Sequence, residues 1–130
     1  MNIPKKTPRP TDGELEILRV LWERGESTVR EVHDTLEARR PTGYTTVLKL
    51  LQIMTEKGLV RRDETERAHV YAARVPREET ERQLVTDLLD RAFAGSASAL
   101  VLRALSSKKA SPQELARIRE MLDAMEGGKR

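Results

Sequence analysis

Apolar residues recur at helical spacing in three successive stretches near the N-terminus. Leu15, Leu18, Leu21 and Trp22 form one stripe, Val29, Val32 and Leu36 a second, and Val47, Leu50, Leu51 and Met54 a third. Thr11 with Glu14, and Thr28 with Glu31, have the spacing of capping boxes, in which each side chain satisfies a free backbone N–H of the first turn. The first two helices are therefore predicted to begin at those threonines. Gly25 ends the first, and the arginines and proline at 39–41 close the second. The third runs from about Thr42 or Gly43 to Lys57, with Gly58 placed for a left-handed cap. Leu59 to Asp63 and Ala68 to Val75 then read as antiparallel strands joined by a turn around Glu64 to Arg67. Two short helices, of which the second has a polar outer face, followed by a hairpin, predict a winged helix-turn-helix.

From Pro76 onward only helical patterns remain. A fourth helix, about Arg77 to Phe93, spreads Leu84, Val85, Leu88, Leu89, Ala92 and Phe93 over more than one face. A fifth, about Ser98 to Leu105, is apolar nearly all round. A sixth begins at Ser111, with Pro112 at its first position and Glu114 completing a capping box, and is striped by Leu115, Ile118, Met121, Leu122 and Met125. Three helices in so short a segment lack the bulk to bury their own apolar faces, so a second copy of the chain is the expected cover, folding back as a monomer being the other solution. The candidate dimerisation residues are Leu84, Leu88, Leu89, Phe93, Leu100, Val101, Leu115, Ile118 and Leu122. The expected fold class is thus mainly α with a small β-hairpin wing, a winged helix-turn-helix followed by a C-terminal helical dimerisation region. Its expected divisions are a basic flexible arm at 1–10, the winged domain at 11–75 and the helical region at 76–130.

Charge changes this picture more than composition does. The net charge of the 130 residues is only +3, yet residues 12–38 hold eight acidic groups against three basic, and residues 39–75 eight basic against four acidic. Positive charge is therefore concentrated on the third helix, the hairpin and the N-terminal arm, where a phosphate-facing surface would need it. On the third helix Thr45, Lys49 and Gln52 lie opposite the buried stripe, with Tyr44, Thr46 and Leu48 on the flanks near the N-terminal end. The hydroxyl, ammonium and amide groups of Tyr44, Thr45, Thr46, Lys49 and Gln52 suit base edges and phosphates. Arg39, Arg40, Arg61, Arg62, Arg67 and Arg74 are candidate phosphate contacts, with His69 beside them on the wing. Leu48 and Ile53 are oddly apolar for an outer face and fit either a thymine methyl or a partner subunit.

Other chemistries find no residues to carry them. Cysteine is absent, which removes disulfides, thiolate metal sites and a cysteine nucleophile together. His33 and His69 are far apart and neither has a second ligand at metal spacing, so no metal and no cofactor are expected. No phosphate loop, metallopeptidase motif or nucleophile elbow occurs, and no enzymatic activity is expected. Four aromatic residues provide no stacking platform for single strands. No apolar run exceeds four residues, which argues against membrane insertion and for a cytoplasmic protein.

With those residues in place, the chain resembles the BlaI/MecI penicillinase-repressor family of winged-helix transcriptional repressors, from about Thr11 to Glu126. The likeness is carried by Glu14 to Trp22 (ELEILRVLW), Thr28 to Val32 (TVREV), Tyr44 to Val47 (YTTV), Lys57 to Val60 (KGLV), Arg67 to Tyr71 (RAHVY), and Leu89 to Gly95 followed by Ser96. The resemblance implies a homodimer joined through C-terminal helices, a palindromic double-stranded DNA operator as partner, and, for several members, a membrane sensor metallopeptidase pathway whose signal leads to cleavage in the dimerisation helices. Where cleaved members carry Asn-Phe, this chain has Arg103 and Ala104, and a position commonly basic in the family is Ile53. Two other readings stay open on the sequence: a ligand-sensing winged-helix regulator of the PadR or MarR kind, and a winged-helix module that binds proteins rather than DNA.

Overall fold

Both N-terminal capping boxes form. The Thr11 hydroxyl accepts from the Glu14 N–H at 3.3 Å while the Thr11 N–H donates to the Glu14 carboxylate at 2.9 Å, which starts α1 (Asp12–Arg24). Thr28 and Glu31 repeat the exchange at 3.1 and 2.9 Å and start α2 (Val29–Glu37). These are features of a computed structural model that describes residues 8–65 and 67–127; most of the expected N-terminal arm lies outside the described residues.

The third helix, α3 (Tyr44–Lys57), ends at Gly58, whose φ of 84° is the left-handed geometry that turns the chain into a strand at no steric cost to glycine. β1 (Ser27–Thr28), β2 (Val60–Asp63) and β3 (Val70–Ala73) form one antiparallel sheet in the order β1-β3-β2. Tyr71 of β3 lies opposite Ser27 on one side and Arg62 on the other. The hairpin predicted from sequence is present, but it gains a third strand that was not foreseen. Two residues are too short for an alternating pattern, and Thr28 already reads as a helix cap.

The three helices meet in one core, α1 with a face turned from the expected one. Leu18 and Leu21 are buried, Trp22 is only partly buried, Leu15 is half-buried outside the cluster, and Ile17 and Val20 take the remaining places. A stripe of leucines gives an angle on the helix but not the width or edge of the covered surface. Ile17, Leu18, Val20 and Leu21 of α1 pack with Val29, Val32 and Leu36 of α2 and Val47, Leu51 and Met54 of α3, closed below by Leu59, Val60 and Tyr71. Burying each such side chain contributes about 1.5–3 kcal/mol, so α3 is held by its inner face and need spend nothing on its outer one. Leu48 and Leu50 are partly buried against this core. Where α1 crosses α3, a Cβ on Gly13 would stand 3.3 Å from the Leu50 side chain, so the small residue permits the close approach.

The chain divides into two compact units, one up to Val85 and one from Thr86 on, with the division inside α4 (Arg77–Ala92). In the first unit Thr80 is the buried residue of α4. In the second, α5 (Ala97–Ser107) and α6 (Pro112–Gly127) follow, capped by the hydroxyls of Ser96 and Ser111, which accept from Ala99 and Glu114 N–H groups at 3.1 and 3.0 Å. Neither helix has a buried residue. Leu88, Val101, Leu102, Leu115, Met121, Leu122 and Met125 are exposed. Among the described residues no helix is long and apolar enough to cross a membrane, and no group of three or more His, Asp or Glu side chains is placed to hold a metal ion.

Candidate nucleic-acid interface

The outer face of α3 is open. Because Val47, Leu51 and Met54 are fully buried, helical periodicity turns Thr45, Lys49 and Gln52 outward, and all three are exposed together with Tyr44 and Thr46. Leu48 and Ile53, ambiguous in the sequence, are both half-buried, and Leu48 leans on the core. Gly43 provides no side-chain cap, and the Val47 N–H donates to the Gly43 carbonyl at 3.2 Å. The positive end of the helix dipole therefore emerges uncapped beside Tyr44, Thr45 and Thr46, a favourable place for an anion.

Two braces hold α3 in position. At its C-terminal end the Lys57 ammonium donates to both oxygens of Glu14 at 2.8 and 3.0 Å, and Glu14 is only 2% exposed. At its N-terminal end the Tyr44 ring meets His33 of α2 edge-on, and the Arg30 guanidinium lies over its face. The connecting loop is tied down as well, since the Thr42 N–H donates to Glu37 at 2.9 Å.

The arginines of the basic stretch divide into two groups. Arg39 pairs with Glu23 at 3.5 Å, Arg40 with Glu16 at 2.6 Å, Arg61 with Glu26 at 3.2 Å and Arg62 with Glu64 at 2.6 Å. Arg62 is further held by Tyr71, whose hydrogen bond is the main cause, ahead of the Glu64 charge, that raises its pKa above the ordinary arginine value. Arg67, Arg74 and His69 are exposed and, like Lys49, show no carboxylate partner among the described residues. All the candidate DNA-facing side chains, Tyr44, Thr45, Thr46, Lys49, Gln52, Arg40, Arg62, Arg67 and His69, are thus at the surface of the first unit. Sequence reasoning passed over Arg30, which stands in the acidic stretch, and saw Glu14 only as a cap.

The wing turn is built on Asp63. Its carboxylate accepts from the Thr65 N–H at 2.9 Å and the Thr65 hydroxyl at 2.8 Å, and these bonds, the backbone one first, hold its pKa below the usual carboxylate range. A depressed folded pKa means that the turn is supported above the ordinary aspartate value and loses that support as pH falls through the lowered one. In an NMR titration the Thr65 amide should therefore move with a midpoint below that of an unhindered aspartate. A midpoint at the ordinary value would contradict the turn geometry.

A family model for the penicillinase repressor matches residues 10–124. The chain belongs to the penicillinase-repressor family. Its relatives in that family include the transcriptional regulator BlaI of Mycobacterium tuberculosis (strain ATCC 25618 / H37Rv), 36% identical over 125 residues, spanning 95% of this chain and 89% of the relative. The penicillinase repressor of Bacillus licheniformis is 24% identical over 119 residues, spanning 92% and 93%. Among solved structures, the DNA-binding domain of the repressor BlaI superposes with a TM-score of 0.51 at 25% identity, covering 58% of this chain and 93% of that domain. The monomeric form of Bacillus licheniformis BlaI, solved with the blaP half-operator, superposes with a TM-score of 0.50 at 24% identity over 57% of this chain and 90% of its own. The fold is a winged helix.

Proposed function

We propose that the chain is a cytoplasmic, non-enzymatic transcriptional repressor that binds a double-stranded DNA operator as a homodimer. The observation that carries this reading is the outer face of α3: a hydroxyl, ammonium and amide surface with an uncapped N-terminus, left open on a helix whose other side is fully buried. Penicillinase-repressor membership adds to it, and so does the solved complex of the Bacillus licheniformis relative with a half-operator. In this reading residues 11–75 contact DNA and residues 76–130 join the copies. Leu88, Val101, Leu115 and Leu122, which α4 to α6 leave exposed, would be covered by the second copy, with Leu84, Leu89, Phe93, Leu100 and Ile118 completing the face. Each subunit would then read one half-site, the two about one helical turn or a multiple apart. A membrane sensor metallopeptidase pathway is the proposed source of the releasing signal.

Salt dependence tests the DNA role directly. If about six to ten phosphates are contacted, affinity for duplex DNA falls about 10³ to 10⁵-fold between about 50 and 200 mM salt. Anisotropy of a labelled duplex measures this, and a flat dependence or failure to retain duplex at low salt would remove the reading.

A further inference from the structure

Arg30 lies on the first turn of α2, in the acidic part of the sequence, yet it is exposed and shows no carboxylate partner among the described residues. Its neighbour Glu31 is occupied elsewhere, capping Thr28 at 2.9 Å and facing Arg24 at 3.6 Å. The Arg30 guanidinium carbon is instead 5.3 Å from the centroid of the Tyr44 ring, at the start of α3. His33, one turn further along α2, abuts the same ring with centroids 5.7 Å apart and planes at 64°. The ring is therefore fixed by two side chains of the preceding helix, and in return it supports the cation.

An arginine held over an aromatic face uses the π cloud for its attraction and keeps N–H donors at the rim available for an anion. Those donors form a planar fork that matches phosphate oxygens. In a helix-turn-helix the helix preceding the recognition helix crosses the nucleic-acid backbone, so a cation on the first turn of α2 beside the α3 N-terminus stands over phosphate rather than over base edges. Arg39, Arg40, Arg61 and Arg62 have similar charge but are already engaged by glutamates.

We propose that Arg30 is a phosphate contact that sets the depth and register at which α3 enters the major groove, and that Tyr44 acts as its mount instead of reading a base. This rests on the duplex-binding reading above. A phosphate contact fixes orientation and carries no sequence information, so it is measurable without knowing the operator.

The test uses the full chain, a labelled duplex of mixed sequence about three helical turns long, and a salt series. Arg30→Ala is expected to reduce the slope of log affinity against log salt by about 0.9 for each protein copy bound, while Arg30→Lys keeps it. Adding Tyr44→Ala to Arg30→Ala should change affinity by no more than about twofold, because the mount has lost its load. Melting temperature should not move for Arg30→Ala, and if it does, Arg30→Gln, with a longer side chain, takes its place. An unchanged slope in the variant beside a steep one in the wild type overturns the assignment of Arg30 and leaves duplex binding standing. Independent, multiplying effects of the two substitutions overturn the role of Tyr44 as mount. A wild-type chain that retains no duplex at low salt overturns both this proposal and the reading beneath it.

Discussion

Replacing Lys57 by alanine is expected to destabilise the first unit by about 3 kcal/mol, the low end of what breaking a buried ion pair costs. The reason is asymmetric burial. Glu14 is 2% exposed and its carboxylate accepts two bonds from the Lys57 ammonium and one from the Thr11 N–H, whereas the Lys57 side chain is 31% exposed. Without Lys57 the charge on Glu14 stays in a dry place with one donor left. The reverse change is milder. Glu14→Gln still accepts from Thr11 and lets the lysine swing into water, so a loss of about 1 kcal/mol is expected. Urea denaturation of the two variants compares them, and a Lys57→Ala loss no greater than that of Glu14→Gln would show that the carboxylate is not shielded as described. The pair also joins the first turn of α1 to the last turn of α3, so its loss should loosen the orientation of the outer face as well as the fold.

Lys49→Ala should do the opposite, leaving stability alone and damaging recognition. Lys49 is exposed on the outer face and has no carboxylate partner among the described residues, so melting temperature should stay within a degree or so of wild type. A good base contact is worth about 1–3 kcal/mol, and two subunits double it, so affinity for an operator obtained by selection from random duplexes should fall about 30-fold to 10⁴-fold. Specificity at the contacted base pair should relax at the same time. A large drop in melting temperature with binding retained would mean that Lys49 packs inward and that the outer face has been misplaced.

Local signals in the sequence proved legible, and distant ones did not. Thr11 with Glu14 and Thr28 with Glu31 mark helix starts because both partners of a capping box lie three residues apart, and Gly58 marks a helix end by its own conformational freedom. The α3 faces followed from periodicity alone. What escaped depends on residues far apart in the chain. Glu14 meets Lys57 across 43 positions, Arg61 meets Glu26 across 35 and Arg40 meets Glu16 across 24, so the opposed charge of the two stretches was visible while its mutual neutralisation was not. Leu48 and Ile53 were ambiguous for the same reason: a helical wheel gives an angle but not the width of the surface packed against it. Arg30 was invisible because its significance comes from a ring fourteen residues away and not from its neighbours.

The single tryptophan has a consequence for experiment. Trp22 donates its indole N–H to the Val75 carbonyl at 2.9 Å, and the Arg77 guanidinium lies 5.9 Å from its ring centroid, at the point where the sheet hands over to α4. Indole emission, excited to the red of the absorption of the two tyrosines, therefore watches the joint where the backbone leaves β3. Any event that tugs at that joint should alter the colour or brightness of the native chain, with no dye attached.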